Sequence, residues 1–193
     1  MPALVEQITS GPVPTNPRVV FSGDDSTSLV VPKTLVVADM TAIANISFCF
    51  NNCNNLTSLA LPDGFGQNAT NLANCFAGCY KLPALALPDG FGQNATNMGG
   101  CFSQCFVLQT LTIPDGFGQN AKNLANCFYR CNSLTSLTLP DGFGQNATNL
   151  ANCFAGCNSL TTITGNPNFK VSFDLSSCTN LTHDSLMVFI NGL

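Results

Sequence analysis

The apolar residues of this chain fall into a short pattern that returns along its length. Leu56, Leu59 and Leu61 have counterparts at Leu82/Leu85/Leu87, Leu108/Leu111/Ile113 and Leu134/Leu137/Leu139, and the last two of each triplet alternate at period 2. That alternation predicts a short strand with one face inward. Pro62-Asp63-Gly64 then ends the strand, Pro presetting φ and Gly accepting the positive φ of a turn. Beyond the loop Gly66-Gln67-Asn68-Ala69, the set Leu72, Cys75, Phe76 and Cys79 falls at i, i+3, i+4 and i+7. This spacing predicts about two turns of helix, with Thr70 or Asn71 as its cap. The same set returns as Ile46/Cys49/Phe50/Cys53, Met98/Cys101/Phe102/Cys105, Leu124/Cys127/Phe128/Cys131 and Leu150/Cys153/Phe154/Cys157.

Pro-Asp-Gly-Phe recurs with its Asp at 63, 89, 115 and 141, a step of 26 residues, and Cys-Phe-x-x-Cys recurs in the same phase. One strand, one turn and one short helix cannot enclose a core alone, whereas stacked copies bury a continuous one. The predicted fold is an α/β solenoid: a right-handed array of 26-residue units, with parallel strands ~4.8 Å apart on the concave side and a cap at each end. Residues 1–26 carry Pro12, Pro14 and Pro17 before Val19-Val20-Phe21 and read as a lead-in and edge strand. Residues 27–52 read as a degenerate first repeat, 53–164 as the regular repeats, and 165–193 as a C-terminal cap whose helix starts near Thr182.

The string Cys-x-x-Leu-x-x-Leu-x-Leu-Pro followed by the Phe-Cys segment resembles the BspA-like class of leucine-rich repeat, found in bacterial surface proteins and in some phage structural proteins. The resemblance covers roughly residues 45–165, and the closing stretch Phe173–Leu186 is similar to the end of such arrays. It implies a binding or adhesive role and carries no catalytic residues over. The long Pro-Asp-Gly-Phe-Gly-Gln-Asn loop departs from the family pattern.

Composition narrows the function. Charged residues make up 8% of the chain, where about 25% is usual. With hydrophobic residues at 45%, this is no solvated, charge-rich disordered chain. Six scattered Lys and Arg against ten Asp and Glu (6 − 10 = −4) exclude nucleic-acid binding through phosphates. No run approaches the ~18 apolar residues that span a bilayer, so no membrane insertion is expected. Met1–Thr9 has neither the basic nor the apolar segment of a secretory leader. Asn, Thr, Ser, Gly and Gln are left to cover the surface.

Eleven cysteines invite disulfide or zinc chemistry, but ten of them are repeat positions. Helix neighbours at i, i+4 hold their Cβ atoms ~5–6 Å apart, too far for the 3.5–4.5 Å of a disulfide. Cys-x-x-x-Cys without His lacks the usual zinc hairpin. Cys is therefore read as a small buried hydrophobe beside Phe, Cys178 included. The Asp63/Asp89/Asp115/Asp141 file is a poor calcium match and is read as bonding within its own turns. Asn68, Asn71 and Asn74 are read as satisfying loop backbone groups. Asn68-Ala69-Thr70 and its copies match a glycosylation acceptor only because the unit repeats. The single His, His183, lies with Asp184 and Ser185 in the first turn of the terminal helix, and neighbours in sequence do not make a triad. No catalytic constellation, metal site or cofactor site is expected.

Positions that differ between repeats mark the free surface. The slots inside and just after Cys-Phe-x-x-Cys hold both tyrosines and two of the six basic residues. Stacked in register, Tyr80, Lys81, Phe106, Val107, Tyr129 and Arg130 are expected to form one rim patch, and aromatics with Arg are what interaction hot spots use. The leading expectation is a non-catalytic module of a surface or extracellular protein that binds a protein or glycan, with drift at exposed sites as the alternative. Two other readings stay open. A virion or surface-layer component would self-associate through uncovered ends. An ice-binding face would use the file from Ser58-x-Ala60 to Thr162-x-Thr164, where β-propensity alone also favours Thr.

Overall fold

The structure, a computed structural model, describes residues 28–30, 43–165 and 167–191. The lead-in expected at 1–26 and part of the degenerate first repeat lie outside these residues. The described strands are β1 (Ser28–Val30), β2 (Ser58–Ala60), β3 (Ala84–Ala86), β4 (Thr110–Thr112), β5 (Ser136–Leu139) and β6 (Thr162–Gly165). They pair in parallel, β1 with β2, β3 with β4 and β5 with β6. In the last two pairs the partners stand 26 residues apart, as in Ala84↔Thr110 and Ser136↔Thr162. Leu85, Leu111, Leu137 and Ile163 are buried, while their neighbours in β3, β4 and β5 face solvent. This is the alternation read from the sequence.

The short helices are not there. Residues 47–52, 73–78, 99–104, 125–130 and 151–156 are consecutive turns. The N–H groups of Leu72, Asn74, Phe76 and Gly78 donate to the next repeat, at Asn97, Gly99, Cys101 and Ser103, over 2.7, 2.9, 2.8 and 2.9 Å. Those of Cys75, Ala77 and Cys79 donate three residues back, to Leu72, Asn74 and Phe76. A helix would turn every N–H onto the carbonyl four residues back. Here alternate donors stitch one repeat to the next, and the rest close tight turns. Positive φ at Asn74 (54°) and Gly78 (77°) sustains the turns, at residues that tolerate the left-handed region. An inward set at i, i+3, i+4 and i+7 fits this path as well as it fits a helix.

A second tier runs the other way: Thr96 N–H donates back to the Thr70 carbonyl at 2.9 Å and Lys122 N–H to that of Thr96 at 2.8 Å. Between the tiers, Asn45, Asn71, Asn97, Asn123 and Asn149 form a continuous file of parallel bridges. Each side chain caps its own turn, as when Asn71 Oδ1 accepts from Ala73 N–H at 3.1 Å. The residue read as a helix cap caps an Asx turn instead.

Two files of Phe rings fill the core. Phe50, Phe76, Phe102, Phe128 and Phe154 stack with centroids 5.3, 5.3, 5.5 and 5.6 Å apart. Phe65, Phe91, Phe117 and Phe143, from the turn after each strand, stack at 6.2, 6.2 and 6.1 Å. The files interlock tilted, at 43° between Phe50 and Phe65. Gly66 (φ 71°) shows why glycine follows this second Phe, since a Cβ there would lie 2.6 Å from the Phe91 ring. Parallel stacking stops at the C-terminal side, where Phe169 and Phe173 meet Phe143 and Phe154 edge-on at 76° and 71°. There α1 (His183–Asn191) begins after Thr182, whose Oγ1 accepts from Ser185 N–H at 3.2 Å. Ser185 Oγ donates to the Ile163 carbonyl at 3.0 Å and accepts its N–H at 2.8 Å, tying α1 to β6.

Candidate binding site

The six residues singled out by comparing repeats resolve into two groups. Tyr80 and Phe106, both half-buried, occupy the slot after the second Cys of successive repeats and stack with centroids 5.1 Å apart and planes 13° apart. Such a pair is worth about 0.5–1.5 kcal/mol beyond its buried area. Beside them Lys81 Nζ donates to Asn55 Oδ1 at 2.9 Å, and Val107 is 38% exposed. Tyr129 and Arg130 sit inside the Cys-Phe-x-x-Cys slot, with the Arg130 guanidinium carbon 5.3 Å from the Tyr129 ring centroid, a cation–π contact. Among the described residues no ring contact joins Tyr129 to Phe106.

Tyr129 instead walls an open groove of about 650 Å³ that the sequence reading missed; Asn74, Gly99, Gly100, Gln104 and Asn126 also line it. Its origin is a break in the repeat, Met98-Gly99-Gly100 where the neighbours have Leu72-Ala73-Asn74 and Leu124-Ala125-Asn126. Both glycines release an Asn. A Cβ on Gly100 would lie 2.3 Å from Asn74 Oδ1, and one on Gly99 2.8 Å from Asn123 Nδ2. Freed in this way, Asn123 Nδ2 donates to Asn97 Oδ1 at 3.0 Å. Gly100 belongs to a left-handed row with Phe48, Asn74, Asn126 and Asn152, at φ 59°, 54°, 58° and 55°. Phe48, 40% exposed, is the unusual member, because a bulky residue is rarely held at positive φ.

None of the remaining candidates lines this groove. All eleven cysteines are buried free thiols. Cys79, Cys105, Cys131 and Cys157 donate to the carbonyls of Phe50, Phe76, Phe102 and Phe128 at 3.2–3.3 Å. Burial pushes the Cys105 thiol up to about 12, and those of Cys75, Cys101, Cys127 and Cys131 well above their ordinary value. The carboxylates of Asp63, Asp89, Asp115 and Asp141 are exposed. Their side chains make no hydrogen bond in these turns, which the backbone closes instead: Phe65 N–H donates to the Pro62 carbonyl, with Asp63 at the second position. Among the described residues no group of three His, Cys, Asp or Glu is placed to hold a metal, and no helix is long and apolar enough to cross a membrane. Ser185 Oγ is committed to Ile163, so His183, Asp184 and Ser185 form no triad.

The model of the "BspA type Leucine rich repeat region (6 copies)" matches residues 41–182. The chain belongs to this family. Its BspA type fold is similar to that of the leucine-rich repeat protein TpLRR of T. pallidum, at 21% identity and a TM-score of 0.56, over 84% of this chain and 81% of that one. Similarity also extends to a leucine-rich repeat protein of Bacteroides ovatus, at 21% identity and a TM-score of 0.44, over 78% of this chain. This chain spans 40% of that protein's length. A leucine rich cell surface protein of Faecalibacterium prausnitzii is 16% identical, with a TM-score of 0.40, over 84% of this chain and 62% of that one. No match is found among the curated proteins. At these identities the structural likeness shows the fold alone. Within the BspA type pattern, the signal that marks the groove is the loss of two side chains in one repeat, where comparison for added aromatics and charges does not look.

Proposed function

We propose that this chain is a non-catalytic binding module of a bacterial surface or secreted protein, with an adhesive role, recognising a protein or glycan through the positions that vary between repeats. The observation that carries this reading is the Tyr80–Phe106 stack, a pre-organised aromatic pair on a surface otherwise built largely of repeated polar residues. Lys81 and Val107 flank the pair, and Tyr129 with Arg130 extends the patch along the array. Membership of the BspA type family, often adhesive and placed at the cell surface, supports it.

The finer architecture belongs to the same proposal: a right-handed solenoid of 26-residue units, closed at both ends. Bridges and strand pairs joining residues 26 apart support the unit length. The test is adhesion of the Tyr80→Ser/Phe106→Ser/Tyr129→Ser variant to immobilised host-surface proteins and to a printed glycan array. Loss of the parent chain's binding is expected; unchanged binding to every partner of the parent would remove the patch from the reading.

A further inference from the structure

The groove over Gly99 and Gly100 has a chemistry of its own. Its walls are neutral and polar: the side-chain amides of Asn74, Gln104 and Asn126, a floor at the two glycines, and one aromatic ring, Tyr129. Among the described residues the amides of Asn74 and Asn126 make no side-chain hydrogen bond within the protein, whereas Asn97 and Asn123 are engaged with each other. An unengaged amide offers two donor hydrogens and an acceptor oxygen side by side. The volume of about 650 Å³ lies inside the ~300–1,000 Å³ range of small-molecule sites.

Most ligand classes fail on these walls. An anion such as phosphate needs cations, and the residues lining the groove include no Lys or Arg. A metal needs grouped carboxylates, imidazoles or thiols, absent among the described residues. An apolar ligand needs apolar walls, and Tyr129 is the only large apolar surface among the residues named above. What remains is a ligand carrying many neutral hydroxyl groups with an apolar face between them. Amides pair with its hydroxyls, and the negative face of an aromatic ring receives its C–H groups.

We infer that this groove binds a neutral oligosaccharide, with Tyr129 stacking on a sugar ring while Asn74, Gln104 and Asn126 bond to its hydroxyls. Two independent departures from the repeat meet here. The glycines of the third repeat clear the floor, and the fourth repeat places Tyr129 where units on either side carry Ser103 and Ala155. The inference rests on the reading of the chain as a binding module and names the ligand class at its Tyr129 end.

The test uses the full chain against neutral trisaccharides of glucose, N-acetylglucosamine, mannose and galactose, followed by calorimetry and by Tyr fluorescence. Binding of at least one, at a Kd of about 1 mM or tighter, is expected. Two variants restore what other repeats already carry and so fold by precedent: Gly99→Ala/Gly100→Asn and Tyr129→Ala. Each is expected to weaken binding at least about tenfold. A third, Tyr80→Asn/Phe106→Asn, alters the rim alone and leaves trisaccharide binding within about twofold. Binding of no trisaccharide overturns the inference, as does binding that the groove variants leave intact. Loss of trisaccharide binding in the rim variant alone would move the site to the Tyr80–Phe106 stack, retaining the binding module while rejecting the groove. Retained binding of surface proteins by the groove variants, with sugar binding gone, would separate the two readings.

Discussion

Phe102 and Gly100 are two residues apart and follow opposite rules. Phe102 belongs to a file that holds the same side chain in five successive repeats, with rings 5.3 and 5.5 Å from the neighbours above and below. Gly100 belongs to a row that reads Phe48, Asn74, Gly100, Asn126, Asn152. Both rows have their backbones fixed by the same inter-repeat bonds. What separates them is which way the side chain points. Inward, a ring must meet an identical ring at van der Waals distance, and any other shape leaves a void. Outward, the only requirement is tolerance of positive φ, which Asn and Gly meet most easily. Variation on the outer row is therefore free to carry recognition, and uniformity on the inner row carries none.

The comparison is broken most severely by alkali. Well below pH 9 the thiols of Cys75, Cys101, Cys105, Cys127 and Cys131 are protonated in both folded and unfolded chains. Above it the unfolded chain ionises at the ordinary value of 9.0 while Cys105 holds its proton up to about 12, so the folded state binds more protons and stability falls as pH rises. Each such thiol contributes a loss of up to about 1.4 kcal/mol per pH unit. Urea midpoints should be flat below about pH 8.5 and drop steeply toward about pH 11; a constant midpoint would mean that the cysteine file is not buried. Phe102→Ala comes next, with an expected loss of about 3–5 kcal/mol in the same titration, and a loss under ~1 kcal/mol would show that the file tolerates a void. Gly66→Ala pushes a Cβ into the Phe91 ring at positive φ and should cost about 1–3 kcal/mol from overpacking. The smallest effect belongs to the rim: Tyr80→Asn/Phe106→Asn is expected to change stability by no more than about 1.5 kcal/mol while abolishing capture of surface proteins, and a larger loss would make the stack structural.

The sequence made the inward residues legible because repetition exposes them: Leu72, Cys75, Phe76 and Cys79 are all fully buried. It misled on the path between them. A helix and a series of turns both bring that set to one side, and what separates them is left-handed backbone at two positions four residues apart, as at Asn74 and Gly78. The clue was available in Asn74 and Gly78, both residues that accept positive φ, but an apolar-periodicity reading does not use it. The rim residues were legible as additions to the repeat, with Tyr80 stacked on Phe106 and Arg130 set over Tyr129. The groove was harder because it arises from subtraction: Gly99 and Gly100 add no chemistry of their own and act by letting Asn74 and Asn123 move.

The two opposed tiers of inter-repeat bonds also give this chain a reading frame. Leu72 N–H reaches forward to Asn97 while Thr96 N–H reaches back to Thr70, so each repeat is bolted to its neighbours in both directions at fixed offsets. A one-residue insertion cannot slide to relieve itself, since slack toward one neighbour is misregister toward the other, and every Phe downstream would leave its file. Inserting a whole repeat leaves every offset intact. Evolution or an engineer can lengthen the inner array by duplicating complete repeats, and where a duplication falls decides how far the groove lies from either end.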